Sequence, residues 1–137
     1  MAVLRTGLFC MMMTAAAPVF AQGQVDPSGV WMRDDGNARV KIAPCGPDIC
    51  ATNLWIRDTS KGEEVGDVLV MKLEPNTSGQ LAGKAYDPKR DRNYAMTLRK
   101  SGDRLVTRGC VLGGIICRDV NWTPASEGRT RPRPFSP

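Results

Sequence analysis

The spacing of four cysteines in this sequence limits the chemistry that they can carry out. Four residues separate Cys45 from Cys50, six separate Cys110 from Cys117, and the fifth, Cys10, lies near the N-terminus. An even number of cysteines in an exported chain is typical of a disulfide framework, whereas a four-cysteine zinc site would need closer spacings. We therefore expect two disulfides and no metal site. Their count alone leaves three pairings open.

The sequence contains few side chains suited to acid–base or nucleophilic catalysis. The sequence has no histidine, and disulfide formation would leave no free thiol as a nucleophile. The closest carboxylate pairs, Asp34 with Asp35 and Asp87 with Asp91, fall in predicted turns, where aspartate commonly bonds the backbone. Phosphate-binding and metal-binding loop motifs are absent from the sequence. We expect a protein that is not an enzyme and carries no cofactor.

Several side chains have types suited to binding a ligand. The strand that begins Gly29-Val30-Trp31 and the late Arg118 would be neighbours in a closed barrel, where Arg118 could stack on the Trp31 indole and plug one end. Other apolar residues are predicted to face inward and line a small cavity, and Arg118 could meet an anion of the ligand. The predicted ligand-binding residues are Trp31, Met71, Tyr94, Met96 and Arg118.

The elements that would hold these residues are short strands. Segments of period-two alternation recur between clusters of Gly, Pro, Asn and Asp, and no sustained helical period appears. The predicted strands span 29–33, 37–43, 51–58, 67–74, 80–86, 92–99, 104–110 and 116–123. Eight strands with short links indicate an all-β fold, a single antiparallel up-and-down barrel that is lipocalin-like and carries two local disulfides.

The last predicted hairpin has a register that can be read by hand. Pairing Cys110 with Cys117 brings Arg108 opposite Asp119 on a face that can meet water. The inward face then pairs Leu105 with Trp122, Thr107 with Val120 and Gly109 with Arg118. Because one register satisfies the disulfide, the charges and the core together, we predict the local pairs Cys45–Cys50 and Cys110–Cys117.

Two other hairpins differ in how well their cross-strand pairing places apolar residues on one face. In the hairpin before the last, the expected inward pairs are Ala85 with Tyr94, Gly83 with Met96 and Leu81 with Leu98. In the Cys45–Cys50 hairpin, strict pairing through the disulfide places Leu54 and Ile56 opposite Lys41 and Arg39. We predict a bulge or a slipped loop near Pro44 to correct this mismatch and leave the face of Trp55 open.

The two ends of the chain have compositions unlike the middle. Residues 1–21 have the charge, apolar run and small residue at Ala21 of a secretory signal peptide, with an apolar run too short for a membrane span. Residues 22–28 are a short linker, 29–123 the barrel, and the Pro- and Arg-rich residues 124–137 a disordered tail. These predict a periplasmic or secreted protein with no transmembrane span in its mature form and no nucleic-acid partner.

The motifs also resemble a known family. Gly29 to Trp31, Ala38 to Gly46, Tyr86-Asp87-Pro88, and Arg108 to Arg118 ending in Trp122-Thr123 are similar to exported bacterial proteins grouped as domain-of-unknown-function family 2147. The Gly-x-Trp strand with a late arginine is also similar to the lipocalin-like, or calycin, pattern. The resemblance implies a small barrel outside the cytoplasm and no assigned activity.

Two functions follow from this sequence. The first is a non-enzymatic barrel, expected to be a monomer, that binds a small apolar or amphipathic ligand in the cell envelope. The second is a filled barrel that acts through its loops on an envelope protein partner, as an inhibitor or envelope-maintenance factor. For the second reading the chain is also similar to small barrel inhibitors of secreted bacterial proteases.

Overall fold

A computed structural model describes residue 3 and residues 25–126. Most of the predicted signal peptide, the start of the linker and the tail beyond residue 126 lie outside the described residues. Within residues 25–126, eight antiparallel strands follow one another around a closed barrel, as the alternation predicted. They are β1 (Gly29–Arg33), β2 (Ala38–Cys45), β3 (Asp48–Ile56), β4 (Val68–Pro75), β5 (Leu81–Asp87), β6 (Arg92–Ser101), β7 (Arg104–Val111) and β8 (Ile116–Pro124).

The barrel closes where the first strand meets the last. Arg33 of β1 pairs with Trp122 of β8, and Trp31 pairs with Pro124. Closure removes the unpaired edges that a short-stranded sheet would otherwise expose. Inward side chains from the strands form the core, in which Leu98 and Leu105 are completely buried.

Both disulfides and both regular hairpins have the predicted pairing. Cys45 bonds Cys50, and Cys110 bonds Cys117. In β7 and β8, Cys110 lies opposite Cys117 and Gly109 opposite Arg118. The expected pairs of β5 and β6, including Gly83 with Met96, are also present. The disulfides indicate an oxidising compartment outside the cytoplasm.

The β2–β3 hairpin differs from the prediction in the place of its bulge. Its turn is only Gly46-Pro47, with Gly46 at a φ of 64°, so Cys50 lies opposite Ala43 and the disulfide links diagonal positions. The register changes between Arg39 and Val40, far from Pro44, because Leu54 is the extra residue on β3. The added residue reverses the alternation, which turns Ile56 into the core.

The same bulge determines the face of Trp55. Trp55 lies on the outer surface, 38% exposed, and the guanidinium carbon of Arg39 lies 5.6 Å from its ring centroid. The cation–π contact therefore forms outside the barrel rather than within it.

The two ends of the barrel carry different loops. We call the end with the β2–β3, β4–β5 and β6–β7 turns and the chain entry at residues 25–28 the closed end. The opposite end, with the β1–β2, β3–β4, β5–β6 and β7–β8 loops, is the open end. This arrangement follows from the up-and-down order of the strands.

Candidate functional site

A cavity of about 500 Å³ occupies the barrel and opens at the open end. Its walls are the inward faces of the strands together with part of the β3–β4 loop. A volume of this size lies within the roughly 300–1,000 Å³ that is usual for small-molecule sites. The apolar part of its lining consists of Val40, Ile42, Ala51, Val68, Leu69, Met71, Tyr94, Met96, Leu98, Val120 and Trp122.

Four of the five predicted ligand-binding residues line this cavity. Met71 is buried in its wall, Tyr94 and Met96 are half-buried, and Arg118 is exposed near the opening. Gly109 lies opposite both Met96 and Arg118 on the neighbouring strands, and a Cβ there would lie 3.7 Å from the Met96 methyl carbon. The register that the sequence predicted thus brings these residues to one space.

Trp31, the fifth predicted residue, lies outside the cavity lining. Its side chain is buried in the core near the closed end, and its Nε1 donates a 2.9 Å hydrogen bond to the carbonyl oxygen of Pro27. The cation that faces the indole is Lys100, whose Nζ lies 5.6 Å from the ring centroid. The expected stacking of Arg118 on Trp31 was wrong, because Arg118 lies toward the other end of β8.

Inward side chains change from apolar to charged along the strands toward the open end. On β6 the inward residues pass from Leu98 through Met96 and Tyr94 to Arg92. The same change separates Trp31 from Arg33 on β1, Leu81 from Asp87 on β5, and Trp122 from Arg118 on β8. The cavity therefore has an apolar depth and a charged mouth.

The β3–β4 loop, residues 57–67, is held across part of this mouth. Both carboxylate oxygens of Glu63 accept hydrogen bonds from Arg33, at 2.7 and 2.8 Å, and the Asn37 amide donates a third at 3.0 Å. The hydrogen bonds from Arg33 hold the pKa of Glu63 below its ordinary value. Arg33 also donates to Asp35 at 2.9 Å, so that this arginine is saturated by two carboxylates.

A second set of ion pairs attaches the end of the same loop to the β5–β6 turn. The Lys89 ammonium lies 3.0 Å from Asp67, and Arg90 lies 2.9 Å from Asp87 while donating a 2.6 Å hydrogen bond to the Gly62 carbonyl. Burial opposes ionisation of Asp67, but the hydrogen bond from Lys89 and that from the Glu64 amide outweigh it and lower its pKa. The β3–β4 loop is thus fixed at two points.

Three cations of the cavity lining form no such ion pair. Lys61, Arg92 and Arg118 form no ion pair with any carboxylate of the described residues, whereas the lining acids Glu63, Asp67 and Asp87 all do. A more polar recess between the β1–β2 hairpin and the β3–β4 loop shares Lys61 and Arg118 with the cavity. The cavity lining therefore has an excess of cations without ion pairs, and Asp35 and Asp58 line the recess on the other side of Lys61 and Arg118.

Sequence reasoning found part of this mouth. The period-two alternation that placed Tyr94 and Met96 inward also places Arg92 inward, so that pattern could have identified Arg92. Lys61 and Glu63 belong to an irregular loop, where no periodicity predicts which side chains face the barrel. Their positions depend on the tertiary contacts with Arg33 and Arg90.

Apolar side chains are exposed beside the mouth. The tip of the β7–β8 hairpin exposes Leu112 by 69%, Ile115 by 84% and Ile116 by 55%. Leu112 has a φ of 54°, and the two glycines that follow it also have positive φ, so the tip is a tight turn that projects its apolar residues.

The described residues include no group of three or more Cys, Asp or Glu arranged to hold a metal ion. Within the described part of the chain, no helix has the length and apolar character needed to cross a bilayer.

Comparison with known proteins identifies one family. A family model described as an uncharacterized protein conserved in bacteria (DUF2147) matches residues 29–124, the whole of the barrel. No curated protein and no solved structure matches the chain.

Proposed function

The chain belongs to the bacterial family DUF2147, and we propose that its barrel is a periplasmic or secreted carrier that binds one small apolar or amphipathic molecule without chemical conversion. The ligand enters at the open end and lies against the apolar wall formed by residues such as Met71, Tyr94 and Met96. The observation that carries this proposal is the cavity of about 500 Å³ inside the barrel.

Side-chain size supports the carrier function. Glycine occupies the inward position between Met96 and Arg118, where a larger residue would extend into the cavity. Flexible methionines adapt to ligands of irregular shape. Burial of an apolar ligand against this wall would release water from both surfaces and supply the binding free energy.

The arrangement gives little support to catalysis. The pKa values of Glu63 and Asp67 at the mouth are lowered by hydrogen bonds from Arg33 and Lys89, respectively, which makes these two carboxyls poorly suited to act as general acids near neutral pH. We therefore propose a binding protein and not an enzyme.

A second candidate function rests on the exposed tip of the β7–β8 hairpin. Leu112, Ile115 and Ile116 could form the apolar centre of a contact with an envelope protein. In that case the barrel would serve as a scaffold and its cavity would have no role.

The experiment that tests the carrier function uses N-phenyl-1-naphthylamine, an uncharged probe that fluoresces in apolar surroundings. Protein purified from a bacterial periplasm is titrated as wild type and as Met96→Trp, in which the larger side chain fills the cavity. We expect the substitution to weaken probe binding at least about tenfold, or about 1.4 kcal/mol. Ala95→Trp, on the outer face of the same strand, is the matched control and should bind like wild type.

Equal binding by wild type and Met96→Trp, or no binding by either, would overturn the carrier function. A protein partner retained by Met96→Trp and lost by Ile115→Ser would instead favour the second candidate.

A further inference from the structure

We infer that the ligand is an amphipathic anion whose carboxylate or phosphate group lies at the mouth between Lys61, Arg92 and Arg118. The inference rests on the proposed carrier function and specifies the chemical class of its ligand. The apolar part of such a molecule would extend toward Met71 and Leu98, and its charged group would remain near solvent.

The first argument is the balance of charges in the lining. Five cations and three acids line the cavity, and each of the three acids already has a cation as its partner. Arg33 and Arg90 supply that compensation, so Lys61, Arg92 and Arg118 remain without ion pairs among the described residues. An anion entering the cavity would meet three cations without ion pairs, whereas the three acids of the cavity lining are already paired.

The second argument is the direction in which two of these cations point. Arg92 shares the inward face of β6 with Tyr94 and Met96, and Arg118 shares that of β8 with Trp122. An arginine that served only solubility would be equally well hydrated on the outer face, where Arg108 pairs with Asp119 at 3.3 Å. A charged side chain at an inward position departs from the apolar-inside pattern of a barrel strand, and departures of this kind are expected mainly at functional sites.

The third argument is the junction of the two recesses. Lys61 and Arg118 line both the apolar cavity and the polar recess beside it, and together with Arg33 and Arg57 they exceed in number the three acids of that recess. A charged group placed at this junction can receive hydrogen bonds from both side chains while its apolar chain occupies the cavity. Arginine suits this role because its planar group donates two parallel hydrogen bonds to a carboxylate or phosphate.

The test measures displacement of bound N-phenyl-1-naphthylamine by molecules of one chain length and different charge. Dodecanoate and dodecyl phosphate are compared with dodecanol and dodecyltrimethylammonium. We expect each anion to displace the probe at a concentration at least about tenfold lower than the alcohol and the cation do. The concentrations at which dodecanoate and dodecyl phosphate displace the probe then show which of the two head groups binds more tightly.

The matched variants are Arg118→Met, Arg92→Met and Arg108→Met. Methionine retains much of the apolar stem of arginine and removes its charge. Arg118→Met and Arg92→Met should lower the affinity for each anion about tenfold relative to the affinity of the same variant for dodecanol. Arg108→Met, on the outer face, should change neither the affinity for the anions nor the affinity for dodecanol.

The outcomes separate this inference from the carrier function. If the wild-type protein does not bind the probe, the carrier function itself is contradicted. Normal probe binding with equal displacement by anion, alcohol and cation would overturn only the anionic ligand. A preference for anions that survives in both Arg118→Met and Arg92→Met would also overturn it, because the charge would then act from elsewhere.

Discussion

The closed and open ends of the barrel are built from the same strands but from different inward side chains. At the closed end the buried indole of Trp31 donates a hydrogen bond to Pro27, and Lys100 faces the ring. At the open end Arg33, Arg92 and Arg118 occupy inward positions around a cavity. The comparison indicates that the closed end supplies stability, which allows the open end to keep a cavity and unpaired charge.

The largest expected loss of stability comes from a substitution at the closed end. Trp31→Ala removes a buried aromatic side chain and should lower the free energy of unfolding by about 3–5 kcal/mol. Met96→Ala, in the half-buried wall of the cavity, should cost only about 1 kcal/mol. Urea denaturation of both variants measures the difference. Equal losses would contradict the assignment of stability to the closed end.

Two glycines that lie opposite Met96 on its two neighbouring strands provide a second comparison. A Cβ at Gly83 would clash with the carbonyl oxygen of Lys72, because the β4 backbone approaches closely there, whereas a Cβ at Gly109 has ordinary contacts. Gly83→Ala should therefore destabilise the protein by about 3 kcal/mol and Gly109→Ala by less than about 1 kcal/mol. Thermal unfolding monitored by circular dichroism tests both, and a tolerated Gly83→Ala would show that β4 moves easily.

Each end of the barrel has one disulfide. Cys45–Cys50 closes a loop at the closed end, and Cys110–Cys117 closes one beside the mouth, with sequence separations of 5 and 7. Replacing either pair with serines should cost about 2 kcal/mol, because both loops are short and similar in length. Mass mapping of a non-reduced digest checks the pairing, and a peptide linking Cys45 to Cys110 would contradict it.

The smallest expected effect concerns the β3–β4 loop. Glu63→Gln removes the ion pair with the partly buried Arg33 and should cost about 1–2 kcal/mol at about pH 7. Because the folded pKa of Glu63 lies below its ordinary value of 4.5, this stabilisation is complete above that value and is lost as the pH falls through the folded pKa.

Chemical denaturation at about pH 7 and about pH 3 therefore sharpens the comparison. The difference in unfolding free energy between wild type and Glu63→Gln should narrow in acid, because the Glu63 carboxylate binds a proton more readily in the unfolded chain than in the folded protein. A gap that stays constant would show that Glu63 acts through packing rather than charge.

The sequence predicted the barrel well because alternation and turn residues act locally. The pairs Gly109–Arg118 and Gly83–Met96 followed from counting along hairpins. Counting from Cys45 and Cys50 as a directly opposed pair predicts an irregularity near Pro44, whereas the disulfide links diagonal positions and the bulge lies at Leu54.

The candidate site was less predictable than the fold. Alternation shows that a side chain faces inward but gives neither its depth nor its end of the barrel, and for this reason the sequence wrongly predicts contact between Trp31 and Arg118. The mouth also depends on Lys61 and Glu63, whose loop is positioned by ion pairs between segments distant in sequence. No local pattern encodes such contacts.

The most direct test of the central claim, that the open end leads to a ligand cavity, is methyl NMR of methionine during a titration with dodecanoate. The strands contain only Met32, Met71 and Met96. Met71 and Met96 line the cavity, and Met32 lies on the outer face of β1 as an internal control. We predict saturable shifts of Met71 and Met96 with an unchanged Met32 signal. Unchanged Met71 and Met96 signals at saturating dodecanoate would contradict the claim.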